Sequence, residues 1–239
     1  MHVIKCCGLG TEEAASVAIE SGANLLGIIV VPGRARTVDP EIALKMSHLC
    51  REARIAQNRK FVDSKDLLKY VNSLSLNGAE WFEKVSQVII ENGPYLVGVF
   101  RNQPLDEVKD KAEGLKLDFV QLHGSENFDD YIGALEIPVI ARYILNKSNI
   151  KDALVSKKHI LPLLDSEAGG EGKLISWDDA SIFGKEMTGR YLLAGGLTPD
   201  NVQSALAVEG CLGVDVSGGI ETNGKKDEDK IKKFVENCL

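Results

Sequence analysis

The chain has 239 residues, 44% of them hydrophobic, enough to bury one large core as a single domain, and carries a formal charge of −7. That acidic balance excludes the concentrated basic face of a nucleic-acid binder, and no apolar run approaches the roughly 18 residues of a membrane span. Five scattered cysteines, an odd number without metal-ligand spacing or a disulfide framework, point to a reducing, cytoplasmic setting, and the chain enters a strand-like run without a signal peptide's regions.

Residues 3–7 read as the first strand, ending Lys5-Cys6-Cys7 before Gly8. A helix is predicted over 11–21, with Thr11 as cap and two glutamates in its first turn. The second strand, 25–30, leads into Val31-Pro32-Gly33-Arg34-Ala35-Arg36-Thr37. Residues 57–94 then separate the second helix from the next strand, far more than the two to six residues usual for such a loop. Helical spacing around 66–71 and 81–85, with an Asn77-Gly78 turn between, predicts a two-helix insertion packed on the outside of the domain, because Trp81 and Phe82 require burial. Without it the chain stays near the lower size of about 200 residues for such a fold, so the insertion is expected to be dispensable.

Further strands are predicted at 95–100, 118–122, 139–143, 160–164, 191–194 and 213–216, making eight in all, and a helix at 198–208 with Pro199 in its first turn. Short apolar runs alternating with amphipathic stretches are the pattern of an α/β fold, and eight such units predict a single (β/α)8 TIM barrel. Catalysis in that architecture belongs to the carboxyl ends of the strands.

The last two strands open onto paired glycines, Gly195-Gly196 and Ser217-Gly218-Gly219. One glycine pair alone is ordinary turn punctuation. Two at neighbouring strand ends form a cup whose backbone N–H groups can cradle a phosphate, with helix starts behind them adding positive dipole ends. A small phosphorylated substrate follows.

Candidate reactive groups at strand ends are Cys7, Asp165 and the arginines of the second loop. Alone, a strand cysteine is more often a small buried hydrophobe, and Asp165 before Ser166 could cap a turn. Strand alternation assigns the adjacent cysteines opposite faces: if Cys7 enters the barrel mouth, Cys6 faces the helices. Lys5 then lies inside with Cys7 and needs an acidic partner, for which Asp215 is available. The four histidines are spread through the chain, without the ligand set of a metal site.

Five motifs in order, Lys5-Cys6-Cys7-Gly8-Leu9, Gln121-Leu122-His123-Gly124, Leu163-Leu164-Asp165-Ser166 with Gly169-Gly170-Glu171-Gly172, Leu193-Ala194-Gly195-Gly196-Leu197 and Gly213-Val214-Asp215-Val216-Ser217-Gly218-Gly219-Ile220-Glu221, resemble the phosphoribosylanthranilate isomerase family, most of all its fungal, single-function form. The likeness spans nearly the whole chain outside 57–94. It implies an isomerase of tryptophan biosynthesis that performs an Amadori rearrangement of N-(5-phosphoribosyl)anthranilate by acid–base catalysis and requires no cofactor. By this resemblance Asp165 is the general acid and Cys7 the general base, Arg36 holds the anthranilate carboxylate with Arg34 as competitor, Asp215 lies near the sugar hydroxyls, and Gln121 and His123 lie near the aromatic acid. The acid then needs a pKa above the usual carboxylate value, and the thiol must either move down or react from a minor thiolate fraction. A monomer is expected, with a homodimer open. A Schiff-base lyase or aldolase would want a lysine at a strand end, and a silent sugar-phosphate sensor would need only the glycine cup.

Overall fold

Residues 1–166 and 175–239 are described by the computed structural model, and within them the predicted alternation closes on itself. Parallel strands β1 (Val3–Cys6), β2 (Leu25–Ile29), β3 (Tyr95–Phe100), β4 (Phe119–Leu122), β5 (Val139–Tyr143), β6 (Leu161–Leu164), β7 (Tyr191–Ala194) and β8 (Cys211–Val216) run in chain order around a closed barrel, β8 pairing with β1. Burial on both faces explains their continuous apolar character; every residue of β3 is buried.

Helices α1 (Glu12–Ser21) and α2 (Pro40–Ala56) follow the first two strands. The Thr11 hydroxyl accepts the Ala14 N–H at 3.2 Å to start α1, while Asp39 caps α2 with Pro40 behind it. Ala14, Ala15 and Ala18 of α1 share the outer core with Cys6 and Leu26. The remaining outer helices are α5 (Leu105–Gly114), α6 (Phe128–Ile132), α7 (Trp177–Glu186), α8 (Val202–Leu206) and α9 (Glu228–Glu236), and a small hairpin, β9 (Glu221–Thr222) with β10 (Lys225–Lys226), sits between β8 and α9.

Two expectations change. The helix predicted from 198 begins only at Val202, because Asn201 Oδ1 accepts the Thr198 N–H at 2.8 Å and its Nδ2 donates to the Gly196 carbonyl at 3.0 Å, holding the intervening residues in a turn. Pro199 therefore lies in that turn: among the described residues no α-helix starts behind Gly195-Gly196 before Val202, while Gly218-Gly219 open only a single 3₁₀ turn, Gly218–Ile220.

The second concerns residues 57–94. They contain α3 (Ser64–Ser73) and α4 (Gly78–Asn92), but α4 does not lie on the barrel's flank. It runs against β1, β6 and β8, and Trp81, Phe82, Val85 and Ile89 join one core with Val3, Leu25, Phe119 and Leu161 from the strands' amino-terminal ends. The helix is the floor of the barrel. Arg54 of α2 secures the same end, clasping Asp118 with two hydrogen bonds of 2.9 and 2.8 Å and donating to the Pro94 carbonyl at 2.6 Å.

Register carries the inward row around the opposite end. Lys5 lies beside Asp215, Gln121 beside Ile140 and Arg142 beside Leu163. Two residues beyond Lys5, Gln121 and Leu163 the alternation brings Cys7, His123 and Asp165 to the mouth on the same face.

Candidate active site

Cys7 ends β1 with its backbone still in the ladder, its N–H donating to the Val216 carbonyl at 2.7 Å, so its side chain keeps the inward direction. Lys5 beneath it has no exposed surface and places Nζ 2.8 Å from Asp215 Oδ1. Gly27 of β2 makes room for both: a Cβ there would stand 2.5 Å from Cys7 Sγ and 3.0 Å from Lys5 Nζ. Thiol and ammonium thus border one point. Burial pushes the Cys7 thiol up from its ordinary 9.0, and Lys5 pulls against that shift without reversing it. Burial pulls Lys5 down, but Asp215 and Cys7 outweigh it and keep it a cation. Asp215 is therefore first the counter-ion of Lys5.

Across the mouth, Asp165 is buried and accepts the Ser166 N–H at 2.7 Å. Burial raises its carboxyl above the ordinary 3.8, opposed by Arg142, whose Nε lies 3.6 Å from Oδ2. His123 Nε2 faces the same oxygen at 3.4 Å. Gln121 Nε2 stands 3.2 Å from His123 Nδ1, and since the amide nitrogen can only donate, the imidazole proton belongs on Nε2, toward Asp165. Burial, then the Arg142 charge, pulls His123 down to about 3, so it is neutral. Gln121 itself is buried beneath His123 rather than facing the open mouth. The charge of Lys5 acts on Cys7, His123 and Asp165 alike, which sets thiol and carboxyl around one centre.

The glycine loops adjoin one another. Gly195 and Gly196 take φ of 92° and 66°, a region that disfavours side chains, and a Cβ on Gly219 would overlap the Leu197 carbonyl. Gly169-Gly170-Glu171-Gly172 lies outside the described residues. A cavity of about 300 Å³ opens beside Asp165 between Leu145, Ile175 and Asp179.

Of the two competing arginines, Arg34 is exposed, whereas Arg36 turns into the mouth, its Cδ 3.2 Å from where a Cβ of Gly8 would stand. There it meets Glu221 with Nε to Oε1 and Nη2 to Oε2 both at 2.9 Å. Lys226 is buried beside them, donating to Glu221 Oε1 and to the Ser217 carbonyl, both at 2.8 Å. Its burial lowers its pKa, against the pull of Glu221.

A family model described as N-(5'phosphoribosyl)anthranilate (PRA) isomerase matches residues 48–237. The chain belongs to this family. A Komagataella pastoris relative named N-(5'-phosphoribosyl)anthranilate isomerase is 50% identical over the full length of both chains. A structure of monomers of the dimeric PRA isomerase from Thermotoga maritima superposes with a TM-score of 0.68 at 28% identity, covering 99% of this chain and 98% of that one. Another PRA isomerase structure, in complex with reduced 1-(o-carboxyphenylamino)-1-deoxyribulose 5-phosphate, superposes at 0.67 and 28% identity with the same coverage. Sequence reasoning passed over three side chains at the mouth of this PRA isomerase fold. Arg142 had a signal, a charge in the otherwise apolar run Val139–Tyr143. Glu221 closed the last of the five motifs but received no role there, and Lys226 had no signal, since a lysine in a polar tail reads as surface until the hairpin folds it inward.

Proposed function

We propose that the chain catalyses the Amadori rearrangement of N-(5-phosphoribosyl)anthranilate to 1-(2-carboxyphenylamino)-1-deoxyribulose 5-phosphate, with Asp165 as general acid and Cys7 as general base. The observation that carries this reading is a carboxyl raised by burial and an inward thiol at one barrel mouth, beside paired glycine loops. Gly195, Gly196, Ser217, Gly218 and Gly219 hold the phosphate, and Arg36 takes the anthranilate carboxylate.

Asp165 gives its proton to the ribose ring oxygen as the bond to the anomeric carbon breaks, and the anilino nitrogen supplies the electron pair that makes a C1 iminium. The cation acidifies the adjacent C2–H. Cys7 removes that proton, and the C–H electron pair becomes the C1–C2 double bond of an enolamine, neutralising the nitrogen. A proton gained at C1 and one lost from the 2-hydroxyl complete the ketone, restoring acid and base. Apart from the ring C–O bond that opens, the route moves protons only. Because the free Cys7 thiol is raised, it works from a minor thiolate fraction, whose cost falls when the iminium forms beside it. His123 turns its N–H toward Asp165, Gln121 acts through His123, and Asp215 remains available to a sugar hydroxyl beyond its bond to Lys5.

Incubating the purified protein with N-(5-phosphoribosyl)anthranilate should quench the anthranilate fluorescence in an enzyme-dependent manner. Binding without turnover would instead establish a sugar-phosphate sensor. We further place the protein in the cytosol as a monomer, to be checked by fractionation and light scattering; its five buried free thiols suit a reducing compartment.

A further inference from the structure

We infer that Glu221 is a positioning residue that sets the orientation of Arg36 and thereby the enzyme's preference for a substrate bearing an aromatic carboxylate. The inference rests on the functional reading above, and it assigns a role to a side chain outside the acid–base pair.

A guanidinium can grip carboxylates along two edges, one formed by Nε and Nη2 and the other by the two Nη atoms. Glu221 occupies the first edge with two contacts of 2.9 Å. Nη1 has no partner among the described residues, so the second edge is left to a ligand. Arg36 side chain is 35% exposed and hangs from a loop, whereas Glu221 is only 10% exposed. The carboxylate is thus the fixed member of the pair and the arginine the one being held.

Glu221 is fixed in turn by Lys226, 8% exposed, through the 2.8 Å contact to Oε1, and Lys226 is tied to the Ser217 carbonyl. The cation also keeps the local charge positive, with Arg36 and Lys226 against one carboxylate, so clamping Arg36 does not cancel its attraction for an incoming anion. Ser217 opens one of the glycine loops, and the Arg36 Nη2 lies 3.8 Å from where a Cβ of Gly218 would stand. The chain Ser217, Lys226, Glu221, Arg36 therefore fixes the distance between the loop assigned to phosphate and the fork assigned to carboxylate. A ligand carrying both groups is measured against that distance.

Glu221→Gln keeps the size of the side chain and one carbonyl acceptor but gives up the two-point charged grip. Two probes are compared by calorimetry: the reduced product, 1-(2-carboxyphenylamino)-1-deoxyribitol 5-phosphate, and its anilino counterpart without the carboxylate. In Glu221→Gln the carboxylated probe should weaken by about tenfold and the anilino probe should bind as in the parent, with KM raised and kcat within about twofold. Glu221→Asp, charged but shorter, should recover part of the lost preference. Equal weakening of both probes would make Glu221 merely a support of the loop, and unchanged or tighter binding of the carboxylated probe would remove its positioning role; either overturns the inference. A parent protein that turns over substrate and prefers the carboxylated probe upholds the functional reading whatever the variants do, whereas a parent lacking both properties overturns that reading and this inference together.

Discussion

Lys5 and Asp215 meet across the seam where the first and last strands close the barrel, Nζ to Oδ1 at 2.8 Å, with the lysine entirely out of water. Removing one partner of a buried pair strands the other's charge, at a cost of about 3 to 5 kcal/mol. Lys5→Met should therefore lower the urea midpoint by a corresponding amount. Because Lys5 also restrains the upward shift of Cys7, alkylation of Cys7 in the folded variant should require a higher pH than in the parent. An unchanged alkylation profile would separate the ion pair from the chemistry.

Burial raises both members of the acid–base pair, and the thiol still titrates above the carboxyl. Protonated Asp165 with Cys7 thiolate has the same proton count as the reverse distribution, so the productive form is a constant minority between the two pKa values and declines outside them. The profile of kcat/KM should be a broad bell, with its acid limb above pH 4 and its alkaline limb above the ordinary thiol range. Cys7→Ser and Asp165→Asn should each lower kcat by about 10² to 10⁴ with the circular dichroism spectrum intact. Near-parental rates in both would refute the assignments.

Arg36→Ala should raise KM about 10- to 100-fold by removing the charged fork, while inorganic phosphate inhibits as before. Arg34→Ala should change KM by no more than about twofold, because Arg34 stands in solvent. The reverse ranking in steady-state kinetics would transfer the carboxylate to Arg34.

His159 makes the protein sensitive to acid. It is buried between Phe82 and Tyr143, ring centroids 5.6 and 5.4 Å away, and burial lowers its pKa to about 4 from 6.5. The unfolded chain takes up the proton first as pH falls. Its contribution is thus fully present above pH 6.5, declines from there toward pH 4, and amounts to about 3 kcal/mol at most. His159→Phe keeps a ring in the stack, and its stability relative to the parent should improve progressively over that window in urea melts. A difference independent of pH would assign the effect to packing alone.

Deleting residues 57–94 should produce aggregates by size-exclusion chromatography, because α4 covers Val3, Leu25, Phe119 and Leu161 at the barrel floor. Trp81→Ala, which empties a fully buried site in that floor, should cost about 3 to 5 kcal/mol yet leave KM near the parental value, the mouth being at the other end. A shortened chain that stays monodisperse and active would show that the floor needs no cover.

The eight strands and their order were legible in the sequence because a strand buried on both faces needs a continuous apolar run, and short-range periodicity records that need directly. The strand-end positions of Cys7 and Asp165 and the Lys5–Asp215 match followed from alternation and from the intolerance of buried charge. Tertiary structure alone decided three other matters. Amphipathic spacing tells that Trp81 and Phe82 are buried but not against what, so only packing could turn an apparent outer insertion into the floor. The turn at Thr198 depended on Asn201 reaching back to two backbone groups, a competition that helix propensity does not register. Glu221 joined Arg36, 185 residues away in the chain, only when barrel closure brought the last hairpin over the first loops, because charge pairing acts through space and local sequence carries no trace of its partner.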